Sequence, residues 1–255
     1  MKAMWAVPRS YSDIFTQRGA THAEAFRLYP EACREEAATI LGLAAPRPGE
    51  TLLDLPAASG FLSTYLNEPG VRVITVDPNP LFHGECQRRG LESFLAPLDD
   101  LPLADGSVDV AVCLAGLHHE PSRPPVFQEI RRVLRPHGRL AIAEVAKGSA
   151  VAEFLNGFVH DHSSLGHQGE FVDAAFIDDL TREGFRLVRD ETPTYHWNFA
   201  SNEELADCLR LMFGIDRASP AEIVATVEWG LGLDSLPGGR VAMRWSLRTL
   251  LAQLD

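Results

Sequence analysis

The feature that most constrains this chain is the alternation, from residue 51 onward, of short β-branched apolar runs with helical stretches. The runs "TLLDL" (51–55), "VRVITV" (71–76), "VDVAVCL" (108–114) and "RLAIAEV" (139–145) have the length and composition of strands, with a weaker run at "ESFLA" (92–96). Between them, "PPVFQEIRRVL" repeats Val126, Phe127, Ile130, Val133 and Leu134 at helical spacing, which gives one buried stripe. The "RPHG" that follows predicts a stop, with Gly138 as the C-terminal cap. Strand and helix alternating in this way imply right-handed crossovers and a parallel sheet covered on both faces.

The last third departs from that pattern. Strands are predicted at "FRLVRDE" (185–191) and "RVAMRWS" (240–246), and a structureless connection of roughly 40 residues between them is improbable in a compact domain. "SNEE" at Ser201 and "SPAE" at Ser219 match the capping-box pattern, so helices are predicted over about 201–213 and 219–231.

Composition narrows the function. The chain has 255 residues, 45% hydrophobic and 23% charged, enough to bury a full core in one domain. A net charge of −12 with no basic stripe argues against nucleic-acid and anionic-membrane partners. No apolar run approaches the ~20 residues of a membrane span. The opening "MKAMWAVPRSYSD" lacks a signal-peptide core, and Cys33, Cys86, Cys113 and Cys208 form no C-x-x-C pair, so a cytoplasmic location is expected. The chain has two lysines, Lys2 and Lys147, and neither completes a Tyr-x-x-x-Lys pair, which excludes a short-chain dehydrogenase; no P-loop motif is present either.

A ligand of an open parallel sheet binds beyond the carboxyl ends of the strands, where strand order reverses. There the chain carries Asp54, the small-residue turn "PAASG" and, about twenty positions on, Asp77 at the end of "VRVITVD". A carboxylate at that spacing can accept hydrogen bonds from two adjacent ribose hydroxyls, which implies a nucleoside-containing ligand. Glycine-rich turns allow positive φ and close approach of a ligand; here Gly60 is retained, while Ala58 adds a methyl and Pro56 removes an N–H.

Four stretches, "LLDLPAASGFLSTYL", "VITVDPNP", "LDDLPLADGSVDVAVCLAGLHHEP" and "FQEIRRVLRPHGRLAIAEV", occur in the order and at the spacing of a class I S-adenosylmethionine-dependent methyltransferase. Over about 52–145 the chain resembles the small-molecule branch that includes the ubiquinone and menaquinone C-methyltransferases. The resemblance implies an α/β, Rossmann-like, doubly wound seven-stranded sheet, mostly parallel with an antiparallel last strand, assigned to "RVAMRWS". It implies a single methyltransferase domain over 1–255, with a helical lid at 1–45, helical from about Thr21, and a helical cap insertion at 198–238. S-adenosyl-L-methionine is the implied cofactor and S-adenosyl-L-homocysteine the product. Asp77 would take the ribose hydroxyls, and Pro78 and Asn79 would lie beside the adenine. Pro56, Ala58 and Gly60 would lie under the methionine part, with Asp54 on its ammonium group. Pro97 stands where the family usually has an adenine-contacting aspartate, which leaves Leu98 and Asp99 as substitutes.

Methyl transfer is an in-line displacement that depends on alignment, and a base is needed only when the acceptor must lose a proton. His118 and His119 in "GLHHEP" follow the fourth strand and are the candidate catalytic residues. In "VHDHSSLGHQGE", the group His160, Asp161, His162, His167 and Glu170 matches no strict ligand spacing, so no metal is expected. His160 and His162, with Tyr11 and Arg18 from the lid, are candidate contacts for a small-molecule acceptor, and Phe15 and Tyr29 are further lid residues. The acceptor and the oligomeric state are not encoded in any of these motifs. The competing reading is a non-catalytic or regulatory protein of the same fold whose altered turn has changed or lost cofactor binding.

Overall fold

The computed structural model describes residues 10–254. Residues 1–9 of the expected lid, and Asp255, lie outside that range. The strands are β1 (Thr51–Asp54), β2 (Arg72–Asp77), β3 (Glu92–Leu95), β4 (Val108–Leu114), β5 (Leu134–Glu144), β6 (Phe185–Glu191), β7 (Thr194–Phe199), β8 (Leu233–Ser235), β9 (Val241–Ser246) and β10 (Arg248–Leu254). Seven of them form one sheet in the order β3-β2-β1-β4-β5-β10-β6, in which β10 alone runs antiparallel to its neighbours β5 and β6. The expected doubly wound, mostly parallel sheet with an antiparallel last strand is therefore present.

The strand that fills the antiparallel place differs from the expected one. "RVAMRWS" is β9, which pairs antiparallel with β7 and β8 in a separate three-stranded sheet. The main sheet instead takes the next run, "RTLLAQL" (248–254), whose Leu250 and Ala252 are fully buried. Both runs alternate well enough to be strands, and only packing separates them: β9 turns the large side chains Met243 and Trp245 into the core, whereas β10 offers smaller aliphatic ones to its flat neighbours.

Both faces of the main sheet are buried, as a parallel sheet requires. Along β4, Val110 and Val112 join one apolar cluster while Ala111 and Cys113 join the other; along β5, Ala141 and Ala143 oppose Leu140 and Ile142 in the same way. The helices are α1 (Tyr11–Leu28), α2 (Arg34–Ala44), α3 (Pro80–Arg88), α4 (Arg123–Val133), α5 (Ala150–Glu153), α6 (His160–His162), α7 (Ala174–Arg182), α8 (Asn202–Phe213) and α9 (Pro220–Gly230). Between α5 and α6 the backbone is π-helical over Phe154–Val159. Helix α2 packs on β4, β5 and β7; α4 and α7 pack together, α4 on β5 and α7 on β6; α1 lies against α3 and α8.

Three local expectations change. Helix α1 begins ten residues before Thr21, because Ser10 and Asp13 close a reciprocal capping box. Helix α4 stops at Val133, and Gly138 is not its cap: "RPHG" is the start of β5, where a Cβ on Gly138 would lie 2.8 Å from the Arg135 carbonyl. The segment after Gly60 is a single 3-10 turn, Phe61–Tyr65, rather than a full helix; Pro69 and Gly70 follow closely and prevent a longer one. Ser201 and Ser219 do cap helices, α8 and α9; the reciprocal box closes at Ser219, whereas Glu204 accepts from the Ala200 N–H rather than from Ser201.

Candidate functional site

Strand order reverses between β1 and β4, and the segments leaving their carboxyl ends face one another. Asp54 ends β1 and is 3% exposed, with its Oδ2 buried and without a hydrogen-bond partner. Burial, with a smaller contribution from Asp77, pushes its carboxyl up to about 8. Pro56 then packs on the turn after β4: a Cβ on Gly116 would lie 2.3 Å from Pro56 Cγ, so the proline ring fits only because position 116 is glycine. Ala58 has a φ of 47°, the left-handed conformation that favours glycine, and its N–H donates to Asp77 Oδ2 at 2.8 Å. Gly60 also has positive φ, 69°, and a Cβ there would meet Leu91 Cδ1 at 2.7 Å and Cys86 Sγ at 3.0 Å. The glycine is thus required by α3 and the chain after it.

Asp77 is fully buried and fully partnered. Its Oδ1 accepts from the Asn79 N–H at 2.8 Å, and its Oδ2 accepts from Ala58 N–H and from the Tyr11 hydroxyl at 3.0 Å. Burial raises it to about 7 although these donors pull the other way. Tyr11 reaches it from the first turn of α1 and packs with Phe15 and Phe82, the three rings lying 4.6 to 6.4 Å apart. The lid helix therefore supplies its own hydroxyl to the carboxylate at the end of β2.

Beside Asp54 lies a narrow cavity, with about 80 Å³ free to the centres of water-sized spheres. Its apolar wall comes from Phe26 and Phe61 on one side and from Trp197, Phe213 and Trp245 on the other. The two tryptophans belong to the small sheet, with ring centroids 4.7 Å apart. Polar groups point into this apolar space. Glu36 Oε2 accepts from Tyr195 Oη at 3.1 Å and Trp197 Nε1 at 3.2 Å, and burial raises its carboxyl to about 7. Arg18 donates Nη1 to the Phe213 carbonyl, but its Nε has no partner, and burial lowers the guanidinium to about 10. His22 Nδ1 is likewise buried and unpartnered, with burial lowering the ring to about 3.

Three imidazoles meet at one end. His118 and His119 sit in the short 3-10 turn after β4, and His167 comes from the loop after α6. His118 Nδ1 lies 2.7 Å from Glu144 Oε2, while Oε1 of that fully buried carboxylate accepts the Leu117 N–H at 2.6 Å. The loop is held down by the Glu170 N–H on the His118 carbonyl, 2.9 Å, and by Gly169, where a Cβ would lie 2.8 Å from His118 Cδ2 and 2.6 Å from Phe171 Cε1. Burial, reinforced by His118, holds the His119 and His167 rings well below the usual imidazole range, so both are neutral at pH 7.

Of the positions singled out in the sequence, Tyr11, Phe15, Arg18, Asp54, Pro56, Ala58, His118, His119 and His167 line this cavity. Asp77 and Asn79 lie buried behind Tyr11, Leu98 is in the core on the far face of the sheet, and Asp99 is exposed. Gly60 and Pro78 support the turn without lining the cavity. His160 and His162 are outside its lining: His160 Nδ1 contacts the His167 carbonyl at 2.7 Å, and His162 bonds back to the Phe158 carbonyl at 2.9 Å and stacks on that ring. Sequence reasoning missed Glu36, Glu144 and the meeting of His167 with His118 and His119. The signal for the two carboxylates was present: Glu36 is on the apolar face shared with Ile40, and Glu144 interrupts an apolar strand.

This sheet order, with Asp54 and Asp77 at adjacent strand ends, defines a class I methyltransferase fold. Residues 53–142 match the family model described as a methyltransferase domain. Among its relatives, it is 31% identical to the arsenite methyltransferase of Halobacterium salinarum over 65% of this chain and 46% of that one. It is 37% identical to the demethylmenaquinone methyltransferase of Beutenbergia cavernae over 44% of this chain and 48% of that one. The chain thus spans about half the length of these curated relatives. The fold is shared with the 1,6-didemethyltoxoflavin-N1-methyltransferase of Burkholderia thailandensis, solved with its substrate and S-adenosylhomocysteine, with a TM-score of 0.56 at 19% identity over 100% of this chain and 94% of that one. Among the described residues, no helix is long and apolar enough to cross a membrane.

Proposed function

We propose that this chain transfers a methyl group from S-adenosylmethionine to a small-molecule acceptor enclosed in the cavity. The observation that carries this reading is Asp54: a buried carboxylate with an orphaned oxygen, aimed into a cavity at the switch point of a methyltransferase sheet. A buried acid without a partner is costly, and an ammonium group is the complement that restores it to its charged form. The methionine end of the cofactor carries such a group.

The remaining contacts follow from position. Asp77 holds the ribose hydroxyls once the Tyr11 hydroxyl releases it, with Pro78, Asn79, Leu98 and Asp99 forming the adenine side. Pro56, Ala58 and Gly60 form the turn beneath the methionine part. Bound S-adenosylmethionine supplies the electrophilic sulfonium methyl. The protein aligns an acceptor against it between the aromatic wall and Arg18, and excludes water by burying both. Glu144 fixes His118 with its Nδ1 as donor, so Nε2 is left as a lone pair that can take a proton from the acceptor, with His119 beside it. His160 and His162 act from behind, by shaping the loop that carries His167. The whole of 1–255 works as one domain, in which 1–45 is the lid and 198–238 roofs the acceptor. Four buried cysteines with free thiols fit a cytoplasmic protein.

Calorimetry with S-adenosylmethionine and S-adenosylhomocysteine tests the reading. Saturable binding that Asp77→Ala weakens at least ~100-fold is expected, since a charge-assisted bidentate contact is lost. A folded protein that binds neither compound would sink the proposal and leave a regulatory protein of this fold. Methyl transfer itself is scored by S-adenosylhomocysteine release with candidate phenol, thiol, amine and quinol acceptors.

A further inference from the structure

We propose that His118, His119 and His167 form a binding site for a late first-row divalent cation of the zinc class, at the acceptor end of the cavity. One ring nitrogen from each of the three lies within 4.8 Å of both others, and all three side chains are buried. Neutral imidazole is a preferred ligand of zinc and its neighbours, and three imidazoles with one position left for a ligand is a familiar arrangement for zinc. Zinc–nitrogen bonds of 2.0–2.1 Å in a tetrahedral site put the nitrogens about 3.4 Å apart, so the rings need approach by about 1.4 Å at most.

The hydrogen bonds around the rings fix which nitrogens are free. Asn156 is oriented by Gly169, to which it donates through Nδ2 at 3.1 Å while its Oδ1 accepts the Gly169 N–H at 2.9 Å. The same Oδ1 lies 2.8 Å from His167 Nδ1, and an oxygen acceptor there requires His167 to carry its proton on Nδ1. Its Nε2 is therefore an unprotonated lone pair. His118 is held in the same tautomer by Glu144. His119 Nδ1 is buried with no partner at all. Metal-binding histidines characteristically donate their second nitrogen to a carboxylate or carbonyl oxygen, and here two of three do so, with Glu144 adding negative charge behind the site. Asn156 reaches its place from the π-helical turn, an irregularity often found at functional sites.

This set differs from the histidine group read in the sequence, sharing only His167 with it. The loop closes it in space, across almost fifty residues from His119. The cavity side leaves one position for an oxygen or sulfur of an acceptor, a refinement that rests on the methyl-transfer reading; in the loaded protein His118 Nε2 is a ligand rather than a base, and the cation in its place would lower the pKa of the acceptor. Binding of the cation does not rest on that reading.

Cobalt(II) is the probe. Added to the full-length, chelator-treated protein, it is expected to give intense visible absorption of a four- or five-coordinate ion, saturating at about one equivalent and displaced by zinc. His119→Gln and His167→Gln should each abolish the saturable band, and His137→Gln, exposed in β5 and outside the cavity, should retain it. A weak, unsaturable six-coordinate spectrum, or an unchanged titration in both variants, overturns the site. X-ray absorption of the zinc-loaded wild-type protein keeps the test valid if a variant fails to fold: about three imidazole nitrogens at about 2.0 Å are expected, and fewer than two overturn it. None of these readouts involves S-adenosylmethionine, so failure here and failure of the methyltransferase reading are separable.

Discussion

Asp54 and Asp77 close adjacent parallel strands, yet one has an orphaned oxygen and the other has all the donors it can use. The difference extends to their surroundings. Around Asp77 the chain seals itself, with a tyrosine hydroxyl, two backbone N–H groups and three packed rings. Around Asp54 it leaves Arg18 Nε, His22 Nδ1 and His119 Nδ1 buried and unpaired in one cavity. Folding alone cannot account for the second region, because each unpaired buried group costs roughly 1–3 kcal/mol. The two regions thus divide the work: one is closed by the protein and must be opened, the other is held ready for a ligand.

The largest expected effect depends on pH and comes from Asp54 and Glu36 on the open side together with Asp77 on the sealed one. Asp54 at about 8, Asp77 at about 7 and Glu36 at about 7 all titrate above their unfolded values. The folded chain therefore binds more protons than the unfolded one between about pH 4 and 8, and its stability without ligand falls as pH rises through that window. Urea unfolding across the window should show a fall on the order of 10 kcal/mol, about 1.4 kcal/mol for each unit by which each carboxyl is raised, and smaller in Asp54→Asn; a flat profile would mean that these carboxylates are already neutralised. Next in size is Gly169→Ala, which drives a methyl into Phe171 and His118. It should cost ~1–3 kcal/mol in thermal unfolding and disturb the imidazole cluster while leaving Asp77 untouched.

On the sealed side the effects are smaller. Tyr11→Phe removes one donor from Asp77 and should tighten S-adenosylmethionine binding by about fivefold to tenfold in calorimetry, the worth of one hydrogen bond. Weaker binding would show that the hydroxyl serves the ligand rather than competing with it. Smallest is Ala58→Gly. Relief of the left-handed backbone, partly offset by a more flexible unfolded chain, should raise stability by less than ~1 kcal/mol in urea unfolding.

The sealed region was the more legible in the sequence. The turn and Asp77 are local to two strands whose alternation is unambiguous, as is Asp54 on the border of the open region, and the seven-stranded sheet follows from that alternation. Tyr11 could be named as a lid residue, but its hydroxyl on Asp77 spans 66 residues and no pattern announces it. The open region was harder to read. Its aromatic wall depends on β9 leaving the main sheet, a choice between two similar runs that only packing makes. Its histidines are joined by a loop whose placement rests on Gly169 and Asn156, residues with no motif of their own. Glu36 and Glu144 did stand out as carboxylates at apolar positions, but what each would bond to depends on tertiary contacts with Tyr195, Trp197 and His118.

The small sheet has a further consequence. β7, β8 and β9 hydrogen-bond to one another and to no strand of the main sheet, yet Trp197 and Trp245 form a wall of the acceptor cavity. Such a wall can change its side chains while the strand ends bearing Asp54 and Asp77 keep their register. If the cavity takes the acceptor as proposed, selectivity is set in part by residues in 194–246, separately from the strand ends that would hold the donor.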